Sequence, residues 1–136
     1  MIFLDSNVVI DLIENADDPV DWSFRQVARA RRDRELVTGV IVVAETSGHF
    51  ESLKVQLSYL DDLAVTVEAL GPDAARRAGL AHRRYRRAGG TRVGVLADFL
   101  IGGHAVSLGA TLLTRDRQRF ANYFPELDLI TPETHS

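Results

Sequence analysis

Ile2-Phe3-Leu4-Asp5-Ser6-Asn7-Val8-Val9-Ile10-Asp11-Leu12-Ile13 compresses a strand, a turn and a helix into twelve residues. Ile2 to Leu4 is a short apolar run fit for a buried strand, and it breaks off at an acid. Ser6 or Asn7 can cap the helix that follows, in which Val8, Val9, Ile10, Leu12 and Ile13 offer a buried face. The same alternation continues down the chain. Strands are expected at Leu36–Thr38, Ala64–Val67, Thr111–Thr114 and Leu127–Ile130. Helices are expected between them. One begins at Asp18-Pro19, after an Asn15–Asp18 loop, with Pro19 in its first turn and Val20, Phe24, Val27 and Ala28 inward. Others run from about Val40, from Phe50 to Leu63 with Leu53, Leu57 and Leu60 on one face, and from Gly71-Pro72-Asp73 to Gly89-Gly90. The last two span Ala97–Leu108, whose small residues suit close packing on the sheet, and Asp116 to about Tyr123. Pro132–Ser136 is read as a tail. Strands that alternate with helices indicate an α/β domain with a parallel sheet.

Four carboxylates stand where apolar runs end. Asp5 follows Ile2-Phe3-Leu4, Glu45 closes Val40-Ile41-Val42-Val43-Ala44, Asp98 comes after Val95-Leu96-Ala97, and Asp116 follows Thr111-Leu112-Leu113-Thr114-Arg115. In an open parallel sheet, ligands bind beyond the carboxyl ends of the strands. Carboxylates that converge there cannot all remain ionised without a divalent cation or raised pKa values. Each acid also has a plain structural reading, as helix cap, dipole partner or exposed helix residue. The constellation carries the case, and it points to metal-dependent chemistry.

The chain has 136 residues, 46% hydrophobic and 26% charged, which is the make-up of one globular domain spanning residues 1–136. It has no cysteine, so disulfides and thiolate metal sites are excluded, and a reducing cytoplasm is the expected compartment. No apolar stretch approaches a membrane span, and Met1 runs directly into the first strand without a signal-peptide pattern. The net charge is −3, but its distribution is uneven. Seven arginines and no acid lie between Arg76 and Arg92, among them Arg83, Arg84, Arg86 and Arg87. A second basic cluster comprises Arg25, Arg29, Arg31, Arg32 and Arg34. Such runs are often no more than solvated helix faces. Beside an acidic site they also match a metal nuclease, in which arginines hold phosphates and carboxylates hold the metal. His49, four residues after Glu45, is separated from it by Ser47-Gly48, and His104 sits among small apolar residues as a core or helix-surface histidine.

The order of these motifs resembles that of the PIN-domain ribonucleases, in particular the VapC-type toxins of bacterial toxin–antitoxin pairs. The resemblance rests on Leu4-Asp5-Ser6-Asn7-Val8-Val9-Ile10, Val42-Val43-Ala44-Glu45, Leu96-Ala97-Asp98-Phe99-Leu100-Ile101 and Gly109-Ala110-Thr111-Leu112-Leu113-Thr114-Arg115-Asp116-Arg117, and it covers nearly the whole chain. It implies a three-layer α/β/α sandwich around a mostly parallel sheet of about five strands. It also implies an endoribonuclease in which Asp5, Glu45, Asp98 and Asp116 hold Mg²⁺ or Mn²⁺, supported by Asn7 and Thr114. Arg83, Arg84, Arg86, Arg87, Arg92 and Arg115 are the candidates for RNA contact. The implied partners are RNA, a cognate antitoxin whose C-terminal segment blocks the site, and a second copy of the chain. Arg117 departs from relatives that carry a further acid or Asn after the last Asp, which argues against a fully occupied second metal site.

Rival readings have weaker support. A haloacid-dehalogenase-type phosphatase wants a second Asp two residues after the first, where this chain has Asn7, and its lone lysine, Lys54, is poorly placed. A receiver domain wants an acidic pair before its central Asp. A non-catalytic PIN-like binding module would not need all four acids.

Overall fold

The computed structural model describes every residue except Asp17; that position of the expected Asn15–Asp18 loop lies outside the described residues. Five parallel strands, β1 (Ile2–Leu4), β2 (Leu36–Gly39), β3 (Val65–Glu68), β4 (Thr111–Leu113) and β5 (Leu129–Ile130), form one sheet in the order β3-β2-β1-β4-β5. Among the described residues, seven α-helices accompany it: α1 (Ser6–Glu14), α2 (Trp22–Ala30), α3 (Val40–Thr46), α4 (Leu53–Asp62), α5 (Pro72–Arg87), α6 (Leu96–Ser107) and α7 (Arg117–Tyr123). The architecture is the three-layer α/β/α sandwich.

Strand β1 is central because every one of its side chains is apolar and can be buried on both faces. Ile2 pairs with Leu36 on one side and Thr111 on the other, and Leu4 pairs with Leu113. The chain builds outward from β1 through β2 to β3, then returns to add β4 and β5 on the opposite side. The order therefore reverses between β1 and β4, and a crevice opens at their carboxyl ends. That reversal locates the site described below.

Helix α6 packs most extensively against α5, and its glycines explain how. A Cβ on Gly103 would meet Ala78 and the backbone of Ala74 at 3.0–3.1 Å, so this glycine seats α6 on α5 rather than on the sheet. A Cβ on Gly102 would fall 2.3 Å from the ring of Phe124, which is fully buried. Gly102→Ala is accordingly expected to destabilise the fold by about 1–3 kcal/mol, because overpacking outweighs the gain in helix propensity. A thermal melt checks this; an unchanged Tm would mean that the Phe124 ring can step aside. His104 lies in the core, edge-on to Phe3 at 5.3 Å, and burial holds its pKa below the usual histidine value.

Two helices are rotated relative to expectation. Asp21, not Asp18, caps α2 by accepting from the Phe24 amide at 3.0 Å, and Asp18 accepts from the Val20 amide in the preceding turn. Pro19 therefore precedes the helix. Val20 is 75% exposed, Phe24 and Ala28 are also exposed, and Ser23, Gln26 and Val27 face inward. The face is chosen by polar bonds: Ser23 donates to Asp11 at 2.6 Å. In α4, likewise, Leu53 and Leu57 are exposed while Gln56 is buried beside Leu60, its amide donating to Val43 O at 2.8 Å. The helix begins at Leu53 under a Ser52 cap, not at Phe50. The C-terminal tail is anchored as well, since Trp22 Nε1 donates to His135 O at 2.6 Å. Among the described residues, no helix is long and apolar enough to cross a membrane.

Candidate active site

Asp5 stands at the carboxyl end of β1, where the sheet order reverses, and it is only 6% exposed. It is also the N-cap of α1, accepting from the Ser6 amide at 2.8 Å, so neither Ser6 nor Asn7 caps this helix. Both have other partners. The Ser6 hydroxyl donates to Glu45 Oε1 at 2.6 Å, which ties α3 to the start of α1. Asn7 donates to Thr114 Oγ1 at 3.4 Å and accepts from the Arg115 amide at 3.2 Å.

Thr114, one residue past β4, is fully buried and closes the arrangement. Its hydroxyl donates to Asp5 Oδ2 at 2.7 Å and accepts from the Asp116 amide at 3.1 Å as well as from Asn7. One donor and two acceptor sites are all that a hydroxyl has, and all are used. Thr114 thereby holds Asp5 and sets the course of the backbone into Asp116. Asp116 caps α7 by accepting from the Arg119 amide at 3.2 Å. The structural reading of Asp5 and Asp116 as caps is thus correct.

Asp98 enters from the first turn of α6. Arg119 of α7 places Nη1 3.0 Å from Asp98 Oδ2 and Nε 3.0 Å from Asp116 Oδ2. The second contact is an ion pair without an aligned hydrogen bond, so this buried Nε–H has no acceptor. Two acids are therefore bridged by a cation from their own chain.

Burial pushes the Asp5 carboxyl up to about 6, and the charges of Asp98 and Glu45 push the same way against the bonds from Thr114 and Ser6. Burial also raises Asp98; Arg119 opposes this, while Glu45 and Asp116 add to it. Asp98 and Glu45 thus act on Asp5, and Glu45 and Asp116 act on Asp98. They are not gathered tightly: among the described residues, no three His, Asp or Glu side chains stand close enough to hold one ion. The donor set is nevertheless hard oxygen throughout, which fits Mg²⁺ or Mn²⁺ and not a soft metal.

The arginines divide. Arg83, Arg84, Arg86 and Arg87 are exposed on α5, and Arg92 follows in the loop. Arg115 is already committed, holding Asp11 with two bonds of 2.6 and 3.1 Å. His49 is exposed in a single 3-10 turn after α3. Sequence reasoning overlooked Arg119 and Asp11. Arg119 had a signal, since it lies three residues beyond Asp116 at the start of a helix. Asp11 had none, because its partners come from α2 and from the segment after β4.

A parallel α/β sandwich with acids at its topological switch point defines a ligand-binding or catalytic class of domain. The particular family follows from comparison: the PIN domain model matches residues 2–124, and the chain belongs to the PIN domain family. That assignment removes the phosphatase and receiver readings. Solved structures share the fold. VapBC2 from Rickettsia felis, bound to a DNA fragment from its promoter, superposes with a TM-score of 0.74 at 20% identity, covering 96% of this chain and 98% of that one. DNA-bound VapBC from Salmonella typhimurium gives 0.70 at 22% identity and 96% of both chains. FitAcB from Neisseria gonorrhoeae gives 0.66 at 21% identity, with 99% and 100% covered. No curated protein sequence matches the chain.

Proposed function

We propose that this protein is a metal-dependent endoribonuclease and the toxin of a toxin–antitoxin pair. The observation that carries the reading is Asp5, buried at the switch point so that burial, with a further push from Asp98 and Glu45, raises its pKa to about 6. Such a perturbed acid in a charged crevice marks a functional site. Membership of the PIN family supports nuclease chemistry, and the likeness to toxin–antitoxin complexes supports an antitoxin partner. A second copy of the chain belongs to the same reading.

Asp5, Glu45, Asp98 and Asp116 are the residues that would hold Mg²⁺ or Mn²⁺, which when bound supplies a Lewis acid for a phosphoryl oxygen and a more acidic water. Thr114 and Asn7 keep Asp5 and the Asp116 backbone in register. Glu45 is exposed and steadied by Ser6, so it is the carboxylate available to orient attacking water and accept its proton. Arginines of α5 and its following loop neutralise flanking phosphates, which makes binding weaken with salt.

The test is incubation of the purified protein with total RNA and Mg²⁺ or Mn²⁺. Discrete fragments are expected, vanishing in EDTA and falling at least about 100-fold with Asp98→Asn, since even residues behind the ligands cost 10–100-fold. Cleavage that persists in EDTA would refute the metal requirement. Tight RNA binding without cleavage would instead indicate a non-catalytic PIN-like module.

A further inference from the structure

Asp11 stands outside the four acids, on α1 one turn beyond Asn7, so the two share a helical face. It is 9% exposed, and both of its carboxylate oxygens are engaged. Ser23 of α2 donates to Oδ2 at 2.6 Å. Arg115 donates from Nε to the same oxygen at 2.6 Å and from Nη2 to Oδ1 at 3.1 Å. A two-pronged guanidinium–carboxylate pair fixes direction as well as charge. An isolated surface ion pair contributes little to stability. This one has a buried carboxylate, joins segments 104 positions apart, and lies next to an acid of the site.

Arg115 is gripped twice by that face of α1. Its amide donates to Asn7 Oδ1 at 3.2 Å while its guanidinium reaches Asp11. On one side of it, Thr114 donates to Asp5 at 2.7 Å; on the other, the Asp116 amide donates back to Thr114 Oγ1 at 3.1 Å. The segment that joins the holder of Asp5 to Asp116 is therefore clamped at its middle residue. Arg119 offers a contrast. It touches Asp98 and Asp116 directly, whereas the ion pair of Arg115 is made to Asp11. Two arginines flank one acid and meet it in different ways, one as a counter-charge and the other through the backbone.

We infer that Asp11 and Arg115 are positioning residues of the acid site. Their pair locks the Thr114–Asp116 segment to α1. It thereby sets where Asp116 stands relative to Asp5 and how tightly the acids take a divalent cation. Arg115 serves the site through Asp11 rather than by holding RNA. The inference rests on the metal-dependent reading above and adds to it a role for Asp11 and for the Arg115 side chain.

The experiment is calorimetric titration of the full-length protein with Mn²⁺, for the wild type, Arg115→Gln, Arg115→Lys and Asp11→Asn. Thermal melts and RNA binding, both in EDTA, accompany it. Arg115→Gln should lower Mn²⁺ affinity by about tenfold, the lower end of what lost support behind a metal ligand costs. Charge alone acts in the opposite direction, because removing a cation beside the acids strengthens their hold on another. The sign of the change therefore separates positioning from the bulk field. Arg115→Lys keeps the charge but loses the fork, so Mn²⁺ affinity should again fall while RNA binding in EDTA stays unchanged. Asp11→Asn should match Arg115→Gln, and the double variant should be no weaker than either single, as for residues that act through each other. The Arg115 side chain is 48% exposed, so truncating it leaves no buried cavity, and Asp11 keeps its bond from Ser23. Unchanged or higher Mn²⁺ affinity in Arg115→Gln, with or without a lower Tm, would overturn the inference and leave the nuclease reading intact. So would an Arg115→Lys protein equal to the wild type in Mn²⁺ affinity beside an Arg115→Gln protein that loses RNA binding, the pattern of a phosphate contact. A wild-type protein that takes up no Mn²⁺ would overturn the metal-dependent reading itself, and this inference with it.

Discussion

Asp5→Asn is expected to abolish RNA cleavage while making the metal-free protein more stable at neutral pH. The carboxyl titrates near 6 in the folded protein and near its ordinary 3.8 when unfolded. Below about pH 4 it carries a proton in both states, and burial costs nothing extra. As pH rises from about 4 through about 6, the unfolded chain releases its proton first, and the folded state loses stability relative to it. Above pH 6 the native protein holds a buried charge at a cost of about 3 kcal/mol. Asparagine removes that charge and keeps one oxygen that can accept from the Ser6 amide, at the loss of the bond that Thr114 donates to Oδ2, which offsets part of the gain. A Tm gain on the order of 5–10 °C is expected at pH 7.5 in EDTA, shrinking towards zero near pH 4. Melts across that range decide the matter: a variant no more stable than the wild type at pH 7.5 would refute burial as the cause of the shift. Such a trade of stability for function is usual where activity needs a destabilised site.

Arg119→Gln should act in the opposite direction on the metal-free protein. Its guanidinium offsets Asp98 and Asp116 at 3.0 Å each, within a half-buried setting. Without it Asp98 and Asp116 lose the cation they share, and the Tm in EDTA should fall by several degrees, corresponding to about 1–2 kcal/mol. Divalent-cation affinity should rise by about tenfold, because the arginine and an incoming ion compete for the same two carboxylates. Calorimetric titration with Mn²⁺ reads this directly, with no dependence on turnover. Unchanged affinity together with an unchanged Tm would mean that Arg119 is not the counter-cation of the site. The wild-type arrangement also gives a physical account of why the acids stand apart: a guanidinium is larger than a metal ion and already satisfies two of them.

Much of the fold was legible because it depends on local chemistry. The apolar triplet Ile2-Phe3-Leu4, the Gly71-Pro72-Asp73 helix start and the helix beginning with Val40 each need only their neighbours to be recognised. Helix α2 was misplaced because Asp18 and Asp21 are both competent caps, and local sequence does not rank them. Its inward face was mistaken because Ser23 is buried for a bond to Asp11, whereas Val20 and Phe24 are left in solvent. Leu53 and Leu57 misled for the same reason: Gln56 has a carbonyl partner on α3 that outweighs an apolar stripe.

The sequence by itself determined the strand–helix alternation and the parallel class of the sheet, and it offered the four acids as candidates, since an acid at the end of an apolar run is visible one segment at a time. The tertiary structure alone decided which groups those acids meet. Thr114 reaches Asp5 across 109 positions, Ser6 reaches Glu45 across 39, and Arg119 reaches Asp98 across 21. Tyr85 and Tyr123 likewise meet only because α5 and α7 lie side by side. Periodicity reports which face of a segment is apolar, but side-chain hydrogen bonds and ion pairs depend on ångström distances between segments, and those distances exist only once the sheet order is set.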